Sequence, residues 1–105
     1  MTSRAIVYEC KAFIDAGNIK EFKMSITNLM DTVYPSILTP DWPYIFHKVY
    51  LHACLRGRTE MALWLADNIY PHMDKIQQIA LRQIFPYGRF LLAKYQTDMR
   101  KKVLG

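Results

Sequence analysis

The residues of this chain best suited to chemistry are three histidines, His47, His52 and His72, and two cysteines, Cys10 and Cys54. His47, His52 and Cys54 fall close together in the sequence and offer three borderline or soft metal ligands. Zinc asks for four, usually in pairs with about two to four residues between them. A step of five residues, as from His47 to His52, does not keep two side chains on one face of a helix. Cys54 beside a histidine is also the raw material of a nucleophilic pair. Such a thiol must be exposed and acidified, whereas Cys54 and Cys10 each sit in an apolar helical pattern. Both are expected to be buried free thiols. Asp15 and Glu21 flank a turn, Asp67, Asp74 and Asp98 are scattered, and no glycine-rich phosphate loop is present. The expectation is no enzyme, no bound metal and no cofactor.

The remaining candidates are for binding. The chain has 14 basic and 9 acidic residues, a formal charge of +5. Arg89, Lys94, Arg100, Lys101 and Lys102 gather toward the C-terminus, and Arg56 and Arg58 lie in the middle. A basic surface attracts nucleic acid, anionic membrane or an acidic protein, although cations also suit the end of a helix for electrostatic reasons. Tyr and Trp dominate interface hot spots. Tyr34, Trp42 and Tyr44, on a proline-rich connection, are the aromatic residues expected to remain exposed. With Arg56 and Arg58 they form the candidate partner-binding set.

These side chains need a scaffold. With 105 residues, 51% of them hydrophobic and 22% charged, the chain is expected to form one globular domain over 1–105. Two cysteines are not a disulfide framework, which favours a reducing compartment. No apolar run approaches the roughly 20 residues of a membrane span, and the first residues do not read as a signal peptide. An intracellular protein without a membrane partner is expected.

Apolar spacing predicts helices over about 4–15, 19–31, 44–56, 59–70, 74–85 and 89–102. Ser3, Asn18 and Asp41 are candidate N-caps. Three prolines, Pro35, Pro40 and Pro43, break the chain between the second and third helices. Val33, Tyr34, Ile37, Leu38 and Trp42 suggest that this break folds back on the core. No stretch alternates as a strand does. The fold class expected is all-α, about six helices in three stacked helix–turn–helix units over about 4–31, 43–70 and 74–103. Gly17, Gly57 and Gly88 would mark the turns, Gly57 lying 40 residues after Gly17 and Gly88 31 after Gly57. Such intervals suit helical repeat arrays. Aligned on the glycines, Phe13, Ala53 and Ile84 coincide, as do Met24, Trp64 and Tyr95. Trp64 is expected to be buried against the neighbouring unit.

The stretch Leu51-His52-Ala53-Cys54-Leu55-Arg56-Gly57-Arg58-Thr59-Glu60-Met61-Ala62-Leu63-Trp64-Leu65 resembles the core of an ankyrin repeat. It is most similar to the degenerate repeats of large DNA virus proteins, matching at Ala53, Cys54, Gly57, Glu60, Ala62, Trp64 and Leu65. The turns at Gly17 and Gly88 are similar at fewer positions, and the Thr-Pro-Leu-His start of that family's repeat is missing. The resemblance implies a protein–protein interaction module, in a viral setting one that binds a host or virion protein in the host cytoplasm, nucleus or virion. Self-association is a further expectation, because Phe90, Leu91 and Leu92 leave an apolar run near one end of the array. The alternatives are a small basic nucleic-acid-binding protein and a virion structural or assembly subunit.

Overall fold

A computed structural model of the chain describes residues 2–32, 34 and 39–104. Regular structure among the described residues is helical throughout: α1 (Ser3–Ala16), α2 (Ile19–Asp31), α3 (Trp42–Leu55), α4 (Thr59–Asn68), a 3-10 turn (Tyr70–His72), α5 (Lys75–Leu81) and α6 (Ile84–Leu104). The expected burial of Val33, Ile37 and Leu38, and the position of Pro35, lie outside the described residues.

Local chemistry sets most helix ends. Asn18 accepts from the Glu21 N–H at 3.2 Å and Asp41 from the Tyr44 N–H at 3.2 Å, each as an N-cap. Asp74 and Gln77 close a capping box at the start of α5. Ser3 departs from expectation. Thr2 caps α1 by accepting from Ala5 N–H at 3.1 Å, and the Ser3 hydroxyl accepts instead from Asp41 N–H at 2.9 Å. Ser3 therefore ties the start of α1 to the start of α3.

Gly17 and Gly57 end α1 and α3 in the left-handed region, at φ 70° and 71°, where a Cβ is costly. Their turns share one hydrogen-bond pattern. Gly17 N–H donates to Ile14 O and Asn18 N–H to Phe13 O; Gly57 N–H donates to Cys54 O and Arg58 N–H to Ala53 O. The same backbone event thus reverses the chain twice, and α1/α2 and α3/α4 are equivalent helix pairs.

The third pair is built differently. Gly88 does not mark a turn: it is buried inside α6, which starts at Ile84 and is 21 residues long. Pro86 falls in the first turn of that helix, where its missing N–H removes no intrahelical bond. The break expected at 86–88 is instead the two-residue turn Arg82–Gln83. Gly88 is needed because α6 approaches α3 closely. A Cβ there would stand 2.6 Å from a Tyr50 ring carbon and 2.9 Å from Cys54 Sγ.

α1, α3 and α6 form one layer of parallel helices with α3 in the middle. Parallel direction follows from the contacts. Ser3 meets Asp41 at one end, and Asp15 meets His52 and Arg56 at the other. Gly88 meets Tyr50, and Tyr95 lies on the Gly57 turn. α2 and α4 form a second layer, joined by Phe22 edge-on to Trp64 at 5.9 Å and by a Lys23–Glu60 ion pair at 3.8 Å. Trp64 is half-buried rather than enclosed, because it packs in the cleft between two helices of the outer layer. The core between the layers includes Ile6, Cys10, Ile14, Phe22, Ile26, Phe46, Val49, Ala53, Cys54 and Leu65. Both cysteines are buried free thiols. Phe46, Tyr50, Tyr70 and Phe85 form a ring cluster with centroids 4.9 to 6.0 Å apart, which fastens the start of α6 to α3.

The two glycines give opposite tests. Gly→Ala inside an ordinary helix raises stability by about 1 kcal/mol. Gly88→Ala is instead expected to lower it by about 1–3 kcal/mol through overpacking against Tyr50 and Cys54. Gly57→Ala should cost about 1 kcal/mol or more from its backbone angle, together with displacement of Tyr95. Urea unfolding midpoints of both variants measure this. A raised midpoint for Gly88→Ala would mean that α6 does not approach α3 in this way.

Candidate interaction surface

The sequence-derived candidates separate into three places. Trp42 and Tyr44 lie in the first turn of α3, half-buried and packed against the core, so the structure corrects their expected exposure. Tyr34 is half-buried as well. Arg56 and Arg58 lie at the other end of α3, about 20 Å away along a 14-residue helix. Arg89, Lys94, Arg100, Lys101 and Lys102 are all exposed on α6. At about 100° per residue they point to several sides of that helix rather than to one face.

Arg56 and Arg58 build the seam between the first two pairs. Arg58 Nε donates to Ile14 O at 3.0 Å and its Nη2 to Asp15 O at 3.3 Å. These carbonyls end α1, where a cation is favoured by the helix dipole, and Ile14 O is shared with the Gly17 N–H. The guanidinium also roofs Gly17, 3.1 Å from where a Cβ would be. At the second turn, the Tyr95 ring roofs Gly57. Each glycine turn is thus covered by a flat side chain from the next unit.

Asp15 joins the same seam. Its Oδ1 is 2.7 Å from His52 Nε2 and 3.0 Å from Arg56 Nε. The hydrogen bond from His52, then its charge and that of Arg56, hold the Asp15 carboxyl below the ordinary carboxylate range. The thiols are shifted the other way. Burial, with the charge of Glu9, pushes Cys10 up to about 12, and burial pushes Cys54 up to about 11. Both stay protonated at neutral pH, so neither is an activated nucleophile. Among the described residues no three His, Cys, Asp or Glu side chains group to hold a metal.

The solvent face of the α1–α3–α6 layer carries what spacing did not single out. A groove crosses it, lined by Lys11 of α1, by His47, Lys48, Leu51, His52 and Leu55 of α3, and by Tyr87 and Leu91 of α6. Leu55 is 55% exposed and Tyr87 53% exposed. Tyr87 stacks on Phe90 at 6.4 Å, and Tyr8 stands 80% exposed on α1. The available signal was surplus hydrophobicity. The core takes Ile45, Phe46, Val49, Tyr50, Ala53 and Cys54 from α3, which leaves Leu51 half-buried at its margin and Leu55, four residues on, exposed. Apolar rings and aliphatic chains flanked by lysines suit a protein surface that is partly apolar and partly acidic.

Asp15 has a depressed carboxyl pKa in the folded chain. Its contribution to stability is therefore complete above the unfolded value, about 3.9, and is lost as pH falls through the folded one. Asp15→Asn should melt below the wild type at pH 7, and the gap should close as pH is lowered toward 3. A gap that stays constant in thermal melts over this range would show that the Asp15 charge is not what joins the pairs.

Compared with family models, curated proteins and solved structures, the chain has no significant match.

Proposed function

We propose that this chain is a non-enzymatic protein–protein interaction module, built on degenerate ankyrin-like repeats, that binds its partner on the solvent face of the α1–α3–α6 layer. The observation that carries the proposal is the groove between Lys11 and Lys48, in which Leu55 and Tyr87 are exposed and Leu51 and Leu91 half-buried. Stacked helix pairs favour this role, because they create an extended face without a deep catalytic cleft. Uncovered apolar residues rimmed by cations cost solubility unless a partner uses them. The likeness of the Leu51–Leu65 stretch to the repeats of large DNA viruses extends the proposal to a viral protein that engages a host or virion protein. Among the described residues, no helix is long and apolar enough to cross a membrane.

A nucleic-acid-binding role would be served by cations collected along one face. The cations of α6 are dispersed around its axis, which favours the protein partner over that alternative. A role as a virion assembly subunit is the same kind of contact with a structural protein as partner.

The test is binding by a surface variant that keeps the fold. Leu55→Ser with Tyr87→Ala removes two half-exposed side chains outside the core. Proteins captured from host or infected-cell lysate by the wild type should be lost with the double variant, while the two melt alike. A gel-shift series with duplex and single-stranded nucleic acid should show no tight complex. Unchanged capture by the variant, or a nucleic-acid complex that weakens steeply with salt, would overturn the proposal.

A further inference from the structure

The end of the domain away from the glycine turns holds a cavity of about 440 Å³, against about 280 Å³ for the groove, and the two share no lining residue. It lies where α2 ends, α3 begins and the 3-10 turn follows α4. Met30, Pro40, Trp42, Pro43, Ile69 and Met73 give it an apolar lining. Thr39, Asp41, His72 and Gln77 add polar groups. This volume and this mixture are those of a small-molecule site, where apolar walls hold the body of a ligand and a few polar groups orient it.

The chain itself holds the walls in place. On the α3 side, the Asp41 N–H donates to Ser3 Oγ at 2.9 Å, and Asp41 Oδ1 accepts from the Tyr44 N–H at 3.2 Å. The other carboxylate oxygen, Oδ2, has no partner among the described residues. On the side of the 3-10 turn, Gln78 Nε2 donates to Tyr70 O at 3.2 Å and to Met73 O at 3.1 Å, which fixes the turn and Met73 behind it. Gln77 is tied down as well, its Oε1 accepting from the Asp74 N–H at 3.2 Å. A site fixed beforehand loses less freedom when it binds.

The charge of the lining selects the ligand. Asp41 is its one side chain of fixed charge, and no Lys or Arg lines it although the chain has 14. A carboxylate with a free oxygen attracts a cation and accepts its hydrogen bonds. Trp42 is the ring type most attractive to cations, and the thioethers of Met30 and Met73 pack well on aromatic rings. We propose that this cavity binds a small arylalkylamine in its protonated form. The ammonium group meets Asp41 beside Trp42, and the aromatic body lies against Met30, Ile69 and Met73. An anion of the same size is repelled by Asp41 and finds no cation to meet it.

The probe is phenethylamine, protonated at neutral pH. Phenethyl alcohol and hydrocinnamate carry a neutral and an anionic group on the same body. The readout is the indole N–H cross-peaks of the two tryptophans in proton–nitrogen correlation spectra. The Trp42 peak should shift saturably with the amine, while that of Trp64, packed on Phe22 between α2 and α4, stays still. The amine should bind about fivefold more tightly than the alcohol, the scale of one ion pair open to solvent, and hydrocinnamate should not bind. Asp41→Asn keeps an N-cap of equal quality, and so the melting temperature, and should bring the amine down to the affinity of the alcohol. Leu55→Ser with Tyr87→Ala should bind the amine as the wild type does, so this site and the groove stand or fall separately. Three results would each overturn the proposal: a Trp42 peak unmoved by the amine, equal binding of amine and alcohol, and amine affinity unchanged in Asp41→Asn.

Discussion

Helix α3 is apolar around most of its circumference, and the layout of the chain follows from keeping water away from it. Ile45, Phe46, Val49, Tyr50, Ala53 and Cys54 are all buried, more residues than one neighbouring helix can cover. α1 lies on one side, α4 behind, and α6 on the other side. The last contact is the demanding one, since the helix axes approach closely enough that only glycine fits at position 88. Burial of large side chains contributes roughly 1.5–3 kcal/mol each, so a central helix covered on three sides is where most of the stability of a small domain resides.

Polar groups at the turn end fix the register that the apolar core leaves loose. Arg58 supplies donors to the Ile14 and Asp15 carbonyls at the end of α1, while Asp15 draws together His52 and Arg56. These contacts lie between the first and second pairs, where two similar layers could otherwise slide. At the next boundary an aromatic ring, Tyr95, takes the place of the guanidinium over the glycine turn. Electrostatic and aromatic covers thus serve one geometric need, and the second leaves α6 free to run on past the body of the domain.

Much of this was legible in the sequence because it is local. The caps Asn18 and Asp41, the left-handed glycines 17 and 57, and the all-α class follow from residue type and spacing over a turn or two. Gly88 misled because glycine serves two purposes, turn conformation and close approach, and only the tertiary partners Tyr50 and Cys54 distinguish them. Ser3 was assigned as a cap and is a tether to α3, a contact across 38 residues. Trp42 and Tyr44 looked exposed because prolines surround them, yet the start of α3 folds them against the core. The groove was hidden for a related reason. Residue type alone does not separate Leu55 from the core residues of α3; how much of the helix its neighbours cover decides it.

α6 lies beside α3 in parallel, as the third helix of one layer. Nuclear Overhauser contacts measure this directly. The Tyr95 ring on Gly57 predicts strong cross-peaks from its ring protons to the Gly57 Hα protons, with those protons shifted upfield by the ring current. Gly88 Hα should likewise show contacts to the Tyr50 ring. A spectrum in which Tyr95 contacts only residues of its own helix, with Gly57 at ordinary shifts, would contradict the shared layer.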